Sequence, residues 1–276
     1  MVFPLWAQCG NEAVRENYKI YEQVKNMTCT KNNKQGYLGT ASTLEEAVQR
    51  WLIKAEEGRA GAQYNLAVSY YKGEGIQKDW EKAMHWFKAA GEQGIVDALY
   101  MVGMMYQFGK GVVSDAKEAF KWYYKAAKLG DTESQYRVGN SLYLGRGVDK
   151  DLAAAVDWWR KAAEQGHAKA SQNLGTAYEN GNGVPMNKEE AVKWLGEAFH
   201  WYYKKAEDGD AESQYRVGNW LYQGRGVEKD SASAVKWWRK AAEQGHAKAS
   251  QNLGTAYLRG DGVPMNKEEA IKWLKE

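Results

Sequence analysis

One pattern recurs six times along the chain at nearly fixed intervals, and few architectures can accommodate it. The pattern is (Leu/Val)-(Gly/Ala)-x-x-(Tyr/Leu)-x-x-Gly-x-Gly-(Val/Ile). It runs Leu66 to Ile76, Val102 to Val112, Val138 to Val148, Leu174 to Val184, Val217 to Val227 and Leu253 to Val263, with spacings of 36, 36, 36, 43 and 36 residues. Copies are followed by a second pattern, Ala-x-x-Trp and then Gly, as in Ala83/Trp86/Gly94, Ala119/Trp122/Gly130, Ala155/Trp158/Gly166 and Ala234/Trp237/Gly245. Periods of this length mark repeat architectures, in which one unit cannot bury its apolar face alone and must stack on its neighbours. Three prolines against 29 glycines in 276 residues fit helices punctuated by glycine rather than loop-rich β structure.

Each unit reads as two helices. In Glu133 to Tyr143, residues Ser134, Val138 and Leu142 share one stripe, with Gly139 beside it. Glycine at mid-helix costs roughly 1 kcal/mol against alanine, so its recurrence argues for close approach by a second helix. The Gly-x-Gly that follows ends the first helix and supplies positive φ. Asp79, Asp115, Asp151, Asn187, Asp230 and Asn266 stand where the second helix needs an N-cap. The motif tryptophans, Trp158 and Trp237 among them, are expected to interlock between helices.

The 43-residue interval is a splice. Residues 118–195 align with 197–274 at an offset of 79, with 63 of 78 positions identical. That is tandem duplication or design. Ala191/Trp194 is followed seven residues later by Ala198/Trp201. Seven residues fall about 20° short of two full turns, so the stripe keeps its side. One helix from about Lys188 to Asp208 is therefore expected, a spacer between two half-solenoids. Deleting Gly196–Tyr202 would restore the 36-residue period. The domain reading is an N-terminal extension or capping segment, 1–43, and a solenoid, 44–276, with units 59–94, 95–130, 131–166, 167–209, 210–245 and 246–276. In the extension, Val14, Tyr18 and Tyr21 suggest a helix near Glu12–Lys25, and Ser42-x-x-Glu45 forms a capping box.

The Leu-Gly-x-x-Tyr-x-x-Gly-x-Gly-Val core, with Asp, Ala, Trp and Ala-Ala downstream, resembles the Sel-one-like repeat (SLR) family, a relative of the tetratricopeptide α/α repeats. The resemblance covers roughly residues 44–276. It implies an all-α, right-handed α/α superhelical solenoid of about six helix-pair repeats, acting as a protein-interaction scaffold. Some family members carry a cysteine pair in every repeat. Here the two cysteines, Cys9 and Cys29, both lie in the extension, so the chain resembles the disulfide-free kind.

Charge and motif content exclude other classes. Lys+Arg 38 against Asp+Glu 35 gives a net charge of +3, with no basic stripe of the kind nucleic acid requires. No apolar run approaches the length of a membrane span. The N-terminus lacks a basic n-region, and Asn26-Met27-Thr28 is a glycosylation triplet of little weight. The compartment stays open, the cytoplasm slightly favoured over periplasmic or secreted, and a monomer is favoured. The four histidines fall in repeat-equivalent pairs, His85/His200 and His167/His246, whereas a catalytic or metal histidine would be singular. Ser114-Asp-Ala-Lys117 matches the Ser-x-x-Lys of penicillin-recognising enzymes without its companion motifs. The reading is therefore of a non-enzyme without cofactor or metal.

A binding face is better supported. In α/α solenoids the first helices line the concave surface. Residues off their core stripe include Tyr136, Arg137, Asn140, Tyr143 and Asn173, then Tyr215, Arg216, Asn219 and Tyr222. Tyr, Arg and Asn are types that form hot spots and hydrogen-bond extended peptides. The candidate peptide-binding set is Arg137, Asn140, Tyr143, Asn173, Tyr215, Arg216, Asn219 and Tyr222, and the polar members carry no core role in the pattern. By resemblance to tetratricopeptide proteins, Asn140, Asn173 and Arg216 match residues that grip peptide carboxylates, but Tyr136 and Glu212 stand where lysines are expected. An acidic or C-terminal peptide is the expected ligand. Three readings stay open: an adaptor binding a protein or peptide in the groove, a secreted or surface factor binding a host protein, and a duplicated or designed scaffold with no selected ligand.

Overall fold

Alternating caps and glycines cut the chain into short helices. The structure, a computed structural model, describes residues 43–275. Among these are α1 (Leu44–Glu56), α2 (Ala60–Lys72), α3 (Trp80–Glu92), α4 (Val96–Phe108), α5 (Ala116–Lys128), α6 (Thr132–Leu144), α7 (Leu152–Glu164), α8 (Ala168–Asn180), α9 (Lys188–Glu207), α10 (Ala211–Gln223), α11 (Ser231–Ala242), α12 (Ala247–Arg259) and α13 (Lys267–Lys275). There is no strand among the described residues. The expected N-terminal helix, the capping segment and both cysteines lie outside them.

The caps of the second helices are those the spacing predicts, whereas α1 is capped by Thr43, which accepts from the Glu46 N–H, and not by Ser42 as expected. Asp79, Asp115, Asp151, Asn187 and Asp230 each stand in extended backbone just before a second helix and accept a hydrogen bond from its first turn. The Asn266 side chain does the same for α13. Both glycines of each Gly-x-Gly turn have positive φ. Each such cap is worth about 1 kcal/mol.

The described residues form two compact units. One comprises those up to Ala98 together with Lys110–Val112; the other comprises Leu99–Gly109 and everything from Val113. In the first, Val48, Leu66 and Phe87 are fully buried, and Tyr64 and Tyr71 tilt onto the Phe87 ring. In the second, helices pack in sequential pairs, α6 on α7, α8 on α9, α10 on α11 and α12 on α13. The mid-helix glycine is what lets them close. A Cβ on Gly139 would lie 2.5 Å from the Trp159 ring, and one on Gly218 equally close to Trp238.

That contact corrects the sequence reading of the tryptophans. Trp159 and Trp238 are 3% and 4% exposed, whereas the motif residues Trp158 and Trp237 are only half-buried. Position i+4 from the motif alanine faces the first helix, and i+3 points about 100° away. Trp158 and Trp237 stand edge-on to Tyr124 and Tyr203 of the preceding second helix, with Lys161 and Lys240 each 4.3 Å above their rings.

Helix α9 is uninterrupted across Gly196 and 20 residues long against 13 for most of the others. Its buried stripe runs Ala191, Trp194, Leu195, Ala198, Tyr202, Ala206. Two jobs are joined end to end in it. Leu195 and the Ala191 carbonyl cover Gly175 of α8, as Trp159 and the Ala155 carbonyl cover Gly139. The next turn, at Gly226, then seats on Leu195 and Gly196, whereas the equivalent turns at Gly147, Gly183 and Gly262 seat on Ala116, Leu152 and Ser231, the first residues of their helices. Seven added residues move that seat about 10 Å along the helix. Trp220 stands where the earlier copy has Ser141, and it fills the space beside the extra turns, stacked 5.9 Å from Phe199 and edge-on to Tyr202.

Candidate peptide-binding face

The candidate residues stand on the first helices α6, α8 and α10, and the structure gives each of them an intramolecular partner. Asn140 Oδ1 accepts from the indole Nε1 of buried Trp159 at 3.0 Å and from Asn173 Nδ2 at 3.1 Å. Asn219 Oδ1 accepts from Trp238 Nε1 at 3.0 Å and from Asn252 Nδ2 at 2.8 Å. Indole N–H can only donate, so it fixes which way each carboxamide faces. Tyr143 and Tyr222 tilt onto Trp159 and Trp238, and the Tyr222 hydroxyl donates to Asp261. Tyr136 and Tyr215 stack 4.5 Å from the rings of His167 and His246. The expectation that the polar members have no packing role is therefore overturned. They tie first helices to second helices and to each other.

The arginines are spoken for as well. Arg137 pairs with Glu133 at 2.9 Å, donates to Gln107 Oε1, and lies over the rings of Tyr100 and Tyr123. Its side chain is 13% exposed. Arg216 pairs with Glu212 at 2.7 Å over the Tyr202 ring. Arg225 crosses from the turn after α10 to Glu179 at 2.6 Å and Thr176 at 3.1 Å on α8. Each arginine of this face thus has its own glutamate.

Sequence reasoning missed two further devices. The first is a histidine cap. His167 Nδ1 accepts from the Ala170 N–H, so in the neutral ring Nε2 carries the hydrogen it gives to Glu133, 3.0 Å away. His246 does the same with Ala249 and Glu212. Burial opposes ionisation of Glu133, but the His167 hydrogen bond and the Arg137 charge outweigh it and hold the carboxyl down at about 2. Glu212 is held at about 2 by the same balance. The second device is an amide clamp. Gln63, Gln135 and Gln214, all buried, donate to the Ala55, Ala127 and Ala206 carbonyls and accept from Gln93, Gln165 and Gln244. The clue lay in the sequence: His appears after the inter-unit glycine, and Gln before the motif leucine or valine, only in alternate repeats.

The serine of the Ser-x-x-Lys match is tied into its own turn. The Ser114 hydroxyl donates to the Gln107 carbonyl, which occupies the proton a nucleophile would have to lose. No group of three or more candidate ligands stands together to hold a metal ion among the described residues. None of the described helices is long and apolar enough to cross a membrane.

The Sel1 repeat family model matches residues 60–95, 96–131, 132–167, 168–198, 195–210, 211–246 and 247–276. The chain belongs to the Sel1 repeat family. Its repeats form an all-α solenoid similar to a Sel1 repeat protein from Oxalobacter formigenes, at 30% identity over 86% of this chain and 92% of that one, with a TM-score of 0.69. It is also similar to c5321, a protective antigen of uropathogenic Escherichia coli with an SLR fold, at 30% identity over 83% of this chain and 63% of that one, TM-score 0.41. The immunity protein Pa5087 from Pseudomonas aeruginosa matches at 22% identity over 78% of each chain, TM-score 0.44. Curated protein sequences offer no match. Sel1 repeat chains are generally protein-interaction scaffolds.

Proposed function

We propose that this Sel1 repeat chain is a non-enzymatic scaffold that binds a peptide or protein segment along the first helices α6, α8, α10 and α12. One observation carries the reading. Asn140 and Asn219 are half-buried and locked in orientation by buried indoles, so the face offers hydrogen-bonding groups whose ordering cost was met on folding. Preorganisation of this kind converts contacts into affinity. Tyr143 and Tyr222 beside them add the amphipathic surface that hot spots use.

The test is selection of displayed random twelve-residue peptides on the intact chain, followed by photo-cross-linking of the enriched peptides. Cross-links on α6, α8, α10 and α12 are expected. No enrichment, or cross-links confined to the second helices, would overturn the reading.

A further inference from the structure

The rungs formed by Asn140 with Asn173 and Asn219 with Asn252 have a chemical polarity that follows from their partners. Each first-named carbonyl oxygen is filled twice, by an indole and by the neighbouring amide. Nδ2 of Asn140 and of Asn219 has no partner among the described residues, and neither has Oδ1 of Asn173 or Asn252. All four residues are only partly buried. Each rung therefore retains an N–H donor and a C=O acceptor, the complement of one peptide group. Between the rungs stands the neutral Thr176–Arg225–Glu179 bridge. The charges on this face are cancelled in place: Glu133, Glu212 and Glu179 pair with Arg137, Arg216 and Arg225.

Resting on the proposed binding face, we infer that its ligand is an extended main chain recognised through its own amide groups, not an acidic side chain or terminal carboxylate. Peptide C=O accepts from Asn140 and Asn219 Nδ2, and peptide N–H donates to Asn173 and Asn252 Oδ1. An acidic ligand would have to draw an arginine away from a glutamate already held ionised, while a main chain needs neither to move. Recognition is accordingly tolerant of ligand sequence and insensitive to salt.

The experiment uses two displayed twelve-residue libraries on the intact chain, one random and one lacking Asp, Glu, Lys and Arg. Both should yield binders, with affinity changing less than about twofold between roughly 50 and 500 mM salt. Asn140→Asp with Asn219→Asp keeps both accepted hydrogen bonds but removes the donors, and should weaken binding roughly tenfold or more. Single ester replacements in the best charge-free peptide should weaken it at the contacted amides, and this arm leaves the protein untouched should the variants fold poorly. Binders from the random library alone, or binders indifferent to both the asparagines and the esters, overturn this inference while leaving the scaffold reading intact. No binder from either library overturns both.

Discussion

At the scale of single residues, the face is built from groups that serve packing first. Asn140 shows why this was hard to read. Its spacing puts it off the apolar stripe, and nothing in one sequence shows that an indole at position 159 needs its oxygen. Asn140→Ala should cost about 1–3 kcal/mol, the penalty for leaving a buried donor unpaired, while Asn140→Asp should cost much less because it still accepts. Urea unfolding of the two variants checks the order, and equal losses would refute the assignment. The glutamates make a pH prediction. Glu133 is held at about 2 in the folded chain, below its ordinary value near 4.3. A depressed carboxyl contributes stability in full above the unfolded value and loses it as pH falls through the folded one. The window is therefore about pH 4.5 to 2, and the loss is roughly 1–3 kcal/mol for Glu133. Glu133→Gln should flatten the stability curve across that window relative to the wild-type chain. An unchanged slope would mean that the His167 and Arg137 contacts do not hold in solution.

At the scale of helices, most of the architecture was legible. Capping residues, Gly-x-Gly turns and the seven-residue phase match gave the second helices, the connections and α9, since each is encoded within a few residues of itself. What was not legible depends on partners 19 to 34 residues away: the asparagine–indole bond, the histidine cap and the glutamine clamp. The same limit explains the tryptophans, because two adjacent aromatic residues gave periodicity no means of choosing between them. Trp159→Ala and Trp238→Ala should each cost about 3–5 kcal/mol. Trp158→Ala and Trp237→Ala, half-buried under lysines, should cost distinctly less. Chemical denaturation of the four variants tests the ranking. Gly139→Ala should destabilise by about 1–3 kcal/mol despite its helical preference, because the new methyl meets the Trp159 ring. Removing Gly196–Tyr202 restores the period but brings Lys205 to the place where other second helices bury Ala162 or Ala241. The shortened chain should fold well only when it also carries Lys205→Ala, as circular dichroism and thermal melting of both forms would show.

At the scale of the whole chain, each repeat of the second unit leans on its sequence neighbours, so stability propagates along the row rather than through one centre. Destabilising α11 with Trp238→Ala should therefore separate the unfolding of the last repeats from that of α5–α8. Hydrogen exchange should show α10–α13 opening first, and a single cooperative transition at every amide would contradict this. The alternation of the glutamine and histidine side chains has one more consequence. Gln135 and Gln214 stand in alternate repeats, and the intervening ones carry Leu99, Ser171 and Ser250. Gln165 and Gln244 alternate in the same phase, and the histidine caps His167 and His246 stand in the repeats that follow. Each glutamine pair lies within one repeat and is copied with it, but the histidine caps reach back to the repeat before, and copying residues 131–166 alone would set Glu133 opposite a second Asp131 where His167 now stands. Copying two repeats preserves every such match, and the offset of 79 separating the near-identical halves spans two. Such a chain can grow or shrink by pairs at little thermodynamic cost, whereas an odd number of repeats would leave a mismatch at the joint.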